Sequence, residues 1–311
     1  MSEASHPLRI AVILPCLNEE AVIGDVVAKF RAEVPEADLY VYDNGSSDAT
    51  AEVASRAGAI VRAEPARGKG NAIRRAFADV EADVYVMADG DGTYDASKVT
   101  HMIDLLISQR LDMVTGIRDS EGDELNTYRS GHAIGNRVLS GLQRRMLGKV
   151  TSDVLSGYRV MTRRFVKSFA GGSTGFEIEM DLTSHAARLQ VASADVATRY
   201  SPRVAGSTSK LRTYRDGWRI LRSLLREFRI SRPLAFFGSI AALFVVVATI
   251  ASIPLLVQYF ESGLVPRFPT AILSASMTTI AFVLLVCGII LDAVAVARRE
   301  AARLAYLGWR T

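Results

Sequence analysis

The sequence predicts an α/β protein: a doubly wound, mostly parallel sheet continued by a membrane-anchoring tail. Three observations point there. Short runs rich in β-branched residues alternate with amphipathic stretches as far as Gly116, the strand, loop and helix alternation that builds parallel sheets. Polar, acid-bearing segments follow three of those runs, at Pro15–Glu19, Asp43–Asp48 and Asp89–Asp91. Two long, almost uncharged apolar stretches come last, Pro233–Phe260 and Thr270–Ala297.

Taken in order, Leu8–Leu14 is a near-continuous apolar run, as expected of a strand covered on both faces. It stops at Pro15-Cys16-Leu17-Asn18-Glu19-Glu20, where Asn18 reads as the N-cap of a helix reaching Glu33. A second strand, Asp38–Tyr42, enters Asp43-Asn44-Gly45-Ser46-Ser47-Asp48, a turn that leads to another helix start. A third, Ala59–Arg62, precedes Gly68-Lys69-Gly70 and a helix to Asp79. The fourth runs into Asp89, a helix follows over Ser97–Gln109, and Met113–Gly116 is the fifth. A helical pattern over Tyr128–Leu147 and a strand over Ala192–Tyr200 complete the sheet-forming part.

In open parallel sheets, ligands sit beyond the carboxyl ends of the strands, so the three polar segments share one rim. Two carboxylates at i and i+2 on a turn, Asp89 and Asp91, can converge on one divalent cation. Such hard oxygen ligands suit Mg²⁺ or Mn²⁺, with phosphate oxygens completing the shell. An isolated Asp-x-Asp is more often a solvated acidic turn; three motifs on one rim count against that here. Gly68-Lys69-Gly70 reads either as close backbone approach to a ligand, with Lys69 near phosphate, or as a loop with a solvated lysine. No G-x-G-x-x-G follows the first strand and no Walker A loop is present, which argues against a nicotinamide or P-loop enzyme.

Lys and Arg number 37 against 33 Asp and Glu, a net charge of +4. The basic excess gathers in a stripe of Arg212, Arg215, Arg219, Arg222, Arg226 and Arg229, spaced alternately three and four apart. Leu211, Tyr214, Trp218, Leu221, Leu225 and Phe228 each sit one position earlier and form an adjoining apolar face. A helix of this kind lies in a membrane interface with its arginines toward anionic head groups, so no nucleic acid is expected as a partner. Each apolar stretch that follows exceeds the roughly 20 residues needed to cross a bilayer. Arginines flank both outer ends, which places the whole N-terminal domain and both termini in the cytoplasm by the positive-inside rule. Met1–Pro7 is polar, so no cleavable signal peptide is expected. Cys16 and Cys287 stand far apart and the four His are scattered, which gives neither a disulfide framework nor a zinc site. The expected division is 1–210 catalytic, 211–232 interfacial, 233–297 a two-helix anchor, and 298–311 a cytoplasmic tail. Copies of the tail could pack into a homo-oligomer, a point the sequence leaves open.

Pro15–Glu19, Asp43-Asn44-Gly45-Ser46-Ser47-Asp48, Asp89-Gly90-Asp91, Ser156-Gly157-Tyr158-Arg159 and Arg203 through Lys210, in this order, resemble the family 2 glycosyltransferases of the GT-A fold. Within them the likeness is to the polyprenyl-phosphate branch, which includes dolichyl-phosphate mannose synthase and bacterial undecaprenyl-phosphate glycosyltransferases. The resemblance implies metal-dependent, inverting transfer of a sugar from a UDP- or GDP-linked donor to a polyprenyl phosphate. It implies that Pro15, Leu17, Glu19, Val41 and Asp43 line the nucleoside pocket, and that Asp89 and Asp91 hold the diphosphate through the metal. It further implies that Gly90 and Thr93 belong to the donor site with Lys69, that Arg118 lies near the donor, and that Arg129 and Arg137 grip the acceptor phosphate. Arg203 and Lys210 would close over the donor phosphates. Asn44, where a second Asp is common, and Thr93, where some mannose synthases carry Gln, depart from the pattern and bear on the donor's identity. Glu177 and Glu179 stay open between contacting sugar hydroxyls and capping a helix. A processive polysaccharide synthase is the nearest rival, but Gln-x-x-Arg-Trp is absent; a non-catalytic nucleotide-sugar-binding membrane protein is the rival of another class.

Overall fold

The computed structural model describes residues 8–118, 150–175, 177–200, 222, 225–226, 228–265 and 267–309. The described strands form one seven-stranded sheet in the order β3-β2-β1-β4-β6-β5-β7. In chain order its elements are β1 (Ile10–Cys16), α1 (Ile23–Glu33), β2 (Asp38–Asp43), α2 (Thr50–Arg56), β3 (Ile60–Ala63), α3 (Lys69–Asp79) and β4 (Val84–Met87). After these come α4 (Val99–Ser108), β5 (Met113–Arg118), β6 (Arg159–Thr162), α5 (Arg163–Lys167), α6 (Ile178–Leu189) and β7 (Ser193–Thr198). Two long helices complete the chain, α7 (Pro233–Ser262) and α8 (Phe268–Gly308).

Successive strand residues point to opposite faces, and β1 uses both. Val12 and Leu14 pack with Val26, Val27 and Phe30 of α1 and with Met102 and Leu106 of α4. Ala11 and Ile13 pack on the other face with Ile73, Ala76 and Phe77 of α3 and with Phe165 and Leu182. Helices on both faces explain why β1 and β4 read as continuous apolar runs rather than alternating ones.

Register sets the rim. Cys16 lies opposite Asp43 and Asp43 opposite Ala63, so β1, β2 and β3 end side by side. β1 reaches Cys16, two residues beyond the predicted Leu14. Pro15 is tolerated inside it because β4 pairs with β1 only as far as Ile13 opposite Met87, so no ladder bond from Pro15 is needed on that side. The predicted parallel order breaks at β6, which runs antiparallel to both β4 and β5.

Asn18 is not the cap of α1, which begins at Ile23. Its backbone sits at φ 54, the left-handed region that Asn tolerates. Its side-chain oxygen accepts from the Ser47 amide at 2.8 Å, so Asn18 ties two rim loops together instead of starting a helix.

The chain divides into two compact units, Met1–Asp216 with Ala302–Thr311, and Gly217–Ala301. Within the first, the last residues pack on the sheet domain. Asp112, buried just before β5, accepts from Arg164 Nη2 at 3.0 Å, Thr162 Oγ1 at 2.9 Å and the Tyr306 hydroxyl at 2.8 Å. Arg164 lies 4.8 Å from the centre of the Tyr306 ring, and Arg163 5.2 Å from that of Trp309. The sequence division at 298 therefore cuts through a segment whose end belongs with the catalytic unit.

In the second unit, beyond the buried Pro233 at the start of α7, the buried residues repeat every seven positions, at Ala241, Ala248 and Leu255 on α7 and at Ser274, Ala281 and Gly288 on α8. Small residues on such a seam let backbones approach closely; a Cβ at Gly288 would lie 3.2 Å from Phe237 Cβ. Large apolar side chains point away from the seam, with Leu243, Ile250 and Phe282 all more than 60% exposed. Both helices are long and apolar enough to cross a membrane. α8 continues past the predicted Ala297 to Gly308 because Ala, Arg and Leu go on favouring helix. Of the predicted basic stripe, Arg222, Arg226 and Arg229 are helical and exposed, and Arg212, Arg215 and Arg219 lie outside the described residues.

Candidate active site

The rim is built around the turn after β4. A Cβ at Gly90 would lie 2.2 Å from Cys16 Sγ, so the turn packs on the end of β1 only with glycine there. Asp91 is buried, and its Oδ1 accepts from the Thr93 hydroxyl at 2.6 Å and the Thr93 amide at 3.2 Å. Thr93 is itself buried beneath the rim. Through these two bonds it orients Asp91.

Asp89 meets Lys69, and Lys69 also meets Glu179. Burial alone would discharge Lys69; the charges of Asp89 and Glu179 outweigh it and hold the ammonium above the ordinary lysine value. The solvated-lysine alternative is thus wrong: the side chain is 9% exposed. Nor do the flanking glycines face a ligand. A Cβ at Gly68 would lie 2.1 Å from Thr174 O and one at Gly70 2.2 Å from Ser173 O, so both exist for the chain's own backbone. The Gly70 amide donates to Thr174 O at 3.0 Å.

The Ser156–Arg159 segment backs this group. A Cβ at Gly157 would lie 3.0 Å from Lys69 Nζ and 3.1 Å from Asp89 Oδ2. Arg159 is fully buried and donates from Nη2 to Val154 O at 2.9 Å, Glu179 O at 3.1 Å and Thr183 Oγ1 at 2.9 Å. This arginine anchors the first turn of α6 and does not reach the rim.

Hydrogen bonds lace the neighbouring loops. Glu19 N donates to Thr50 Oγ1 at 2.8 Å, Ala49 N to Glu20 Oε2 at 2.8 Å, and Ser46 N to Asp43 Oδ1 at 3.2 Å. Asn44 is buried and uses both ends of its amide: Nδ2 donates to Glu64 O at 3.0 Å and Ala66 O at 2.8 Å, while Oδ1 accepts from Gly68 N. An aspartate could not donate those two bonds, which accounts for the departure from the family pattern at this position.

Arg118 ends β5 and is gripped by Asp153, Nε to Oδ2 at 2.7 Å and Nη2 to Oδ1 at 2.8 Å. Burial would raise the Asp153 carboxyl, but the Arg118 hydrogen bonds and charge hold it below the usual carboxylate value. The guanidinium lies 5.5 Å from the centre of the Tyr200 ring, which packs edge-on to Tyr94. The Tyr94 hydroxyl accepts from Gly157 N at 2.8 Å. Asp153, Tyr94 and Tyr200 are absent from the sequence-derived site; Asp153 faces Arg118 across 35 positions, a distance that no local signal bridges.

The structure thus brings Pro15, Leu17, Glu19, Asp43, Lys69, Asp89, Gly90, Asp91 and Arg118 to the carboxyl rim of the sheet. Val41 is the exception. Its side chain is fully enclosed in the α1-side core with Val12 and Leu14. Arg129, Arg137, Arg203 and Lys210 lie outside the described residues. Glu177 precedes α6 without making a side-chain cap bond.

Among the described residues, no group of three or more His, Cys, Asp or Glu is arranged to hold a metal. Two carboxylates on one turn still fit Mg²⁺ or Mn²⁺, which take one or two protein carboxylates with substrate phosphates and water. The donor set is hard oxygen throughout, as those ions require.

Residues 11–169 match the family described as Glycosyl transferase family 2. Glycosyltransferase AglJ of Haloferax volcanii is 36% identical over 257 residues, covering 81% of this chain and 82% of its own. A dolichyl-phosphate hexose transferase of the same organism is 31% identical over 163 residues, 50% of this chain and 68% of its own. Among solved structures, glucosyl-3-phosphoglycerate synthase from Mycobacterium tuberculosis is 27% identical with a TM-score of 0.57, covering 70% of this chain and 80% of that one. The same synthase has been crystallised with Mn²⁺, UDP and phosphoglyceric acid. Sheet order, rim and matches agree: the fold is GT-A, and the chain belongs to glycosyl transferase family 2.

Proposed function

We propose that this protein transfers a sugar, with inversion, from a nucleoside diphosphate sugar to the phosphate of a membrane polyprenyl phosphate. The observation that carries the reading is the pairing, in one chain, of a rim carrying Asp89 and Asp91 with two helices long enough to cross a bilayer. The dolichyl-phosphate hexose transferase relative supports the acceptor class. The likeness to glucosyl-3-phosphoglycerate synthase favours a second reading, a water-soluble phosphorylated acceptor.

Asp89 and Asp91 would hold a divalent cation. The chemistry such a cation would supply there is neutralisation of the charge that develops on the nucleoside diphosphate leaving group. Arg118, fixed by Asp153, adds preorganised positive charge at the end of β5; to Arg203 and Lys210 we assign closure over the donor phosphates. Pro15, Leu17, Glu19 and Asp43 hold the nucleoside. The acceptor phosphate is already anionic near neutral pH, since phosphate monoesters have a second pKa of about 6. Its oxygen needs positioning rather than deprotonation, a part for Arg129 and Arg137. We assign 1–210 to catalysis, 211–232 to the interface and 233–297 to the anchor. Tyr306 and Trp309 packing on the catalytic unit after two apolar helices is what an even number of crossings would produce, which supports placing both ends on one side of the membrane; the flanking arginines favour the cytoplasmic side.

The test is turnover by the purified full chain in detergent with Mn²⁺ or Mg²⁺, across UDP- and GDP-linked sugars. Consumption of one donor only when polyprenyl phosphate is supplied is expected. Polymer formation, or donor hydrolysis indifferent to lipid, would contradict the reading.

A further inference from the structure

The Lys69–Asp89–Glu179 group has features that a static ion pair does not require. One ammonium serves two carboxylates, so the group keeps a net negative charge. Its members differ in access: the Asp89 side chain is 24% exposed and opens to the rim, while that of Glu179 is 4% exposed. Glu179 Oε1 takes Lys69, but Oε2 is buried with no hydrogen-bond partner, a costly arrangement for a carboxylate oxygen. Gly157 leaves room around Lys69 Nζ that any side chain there would fill. Arg159 holds the Glu179 carbonyl at 3.1 Å and so fixes the turn that carries Glu179.

We infer that Lys69 is a resident counter-cation of Asp89 that an incoming divalent metal displaces, and that Glu179 is the positioning residue that receives it. This rests on reading Asp89 and Asp91 as the metal pair. Two cations cannot share the Asp89 carboxylate at contact distance without strong repulsion. Lys69 must therefore turn away as metal arrives, and Glu179 Oε2 is a ready acceptor for the N–H so released. The exchange keeps the buried ammonium paired in both states, which lets the site load and unload without stranding a charge.

The inference predicts opposite effects from two neighbouring substitutions, read as Mn²⁺ affinity by electron paramagnetic resonance on the full chain in detergent with UDP. Lys69→Met removes the competing cation and should tighten Mn²⁺ binding about tenfold, within the usual range for coupled sites. Glu179→Gln removes the receiving charge, leaves Lys69 to Asp89 alone, and should weaken Mn²⁺ about tenfold, as loss of an outer partner commonly does. The double variant has no lysine to receive, so it should bind as tightly as Lys69→Met. It also keeps the test open if Lys69→Met fails to fold. Equal affinity in wild type and all variants, or weaker binding in Lys69→Met or the double variant, overturns the exchange while leaving the metal site standing. No Mn²⁺ binding by folded wild type with UDP present overturns the metal reading and the exchange together.

Discussion

Asp91 and Asp89 sit one residue apart but are held in different ways. Asp91 is buried and oriented by Thr93, whereas Asp89 is partly open and carries Lys69. Replacing Asp91 by Ala should lower transfer about 10²–10³-fold, the usual cost of losing one preorganised electrostatic contact. Circular dichroism should stay native, because Asp91 takes no part in either apolar core. Near-normal turnover would remove Asp91 from the metal pair. The acidic turn was legible in the sequence because an apolar run ended at it. The states of its neighbours were not, since Lys69 and Glu179 stand 110 positions apart. Asn44 shows the same limit: its identity was visible as a departure, but its two donated bonds appear only once the 64–68 loop lies beneath it. Asn18 misled for a different reason, because the residue that caps helices is also one that tolerates a left-handed backbone.

At the scale of elements, α6 is clamped on both sides of the rim group. Arg159 holds its first turn, and His185 on its inner face lies 3.0 Å from the Ser168 hydroxyl. Burial, helped by the charge of Arg188, lowers the His185 pKa from 6.5 to about 4. The folded state therefore binds fewer protons than the unfolded chain between those values, and stability is lost as pH falls from 6.5 towards 4. The shift corresponds to about 3 kcal/mol. Denaturant unfolding across that window should show the loss in wild type and a flatter profile in His185→Asn; parallel profiles would contradict it. Strand positions were readable from apolar runs because both faces of the sheet are covered. The direction of β6 was not. Its first three residues are buried, and a short strand with no solvent face looks the same in either orientation.

For the whole molecule, the long-range contact that sequence gave no hint of is the return of the C-terminal segment to Asp112, 194 positions from Tyr306. Tyr306→Phe removes one hydrogen bond to a buried carboxylate and should cost the catalytic unit about 1 kcal/mol, read as a lower unfolding midpoint in detergent. An unchanged midpoint would mean that the segment adds no stability. The two membrane-length helices, by contrast, were plain in the sequence, since length and lack of charge suffice to mark them. On the proposed function, their consequence is that the sugar ends on a lipid. The most direct measurement supplies the full chain with a radiolabelled nucleotide sugar and Mn²⁺, offers polyprenyl phosphate, unphosphorylated polyprenol or phosphoglyceric acid in separate reactions, and follows label into an organic phase. Label should enter that phase only with polyprenyl phosphate. Label kept in water on phosphoglyceric acid, with none in the lipid reaction, would contradict the account.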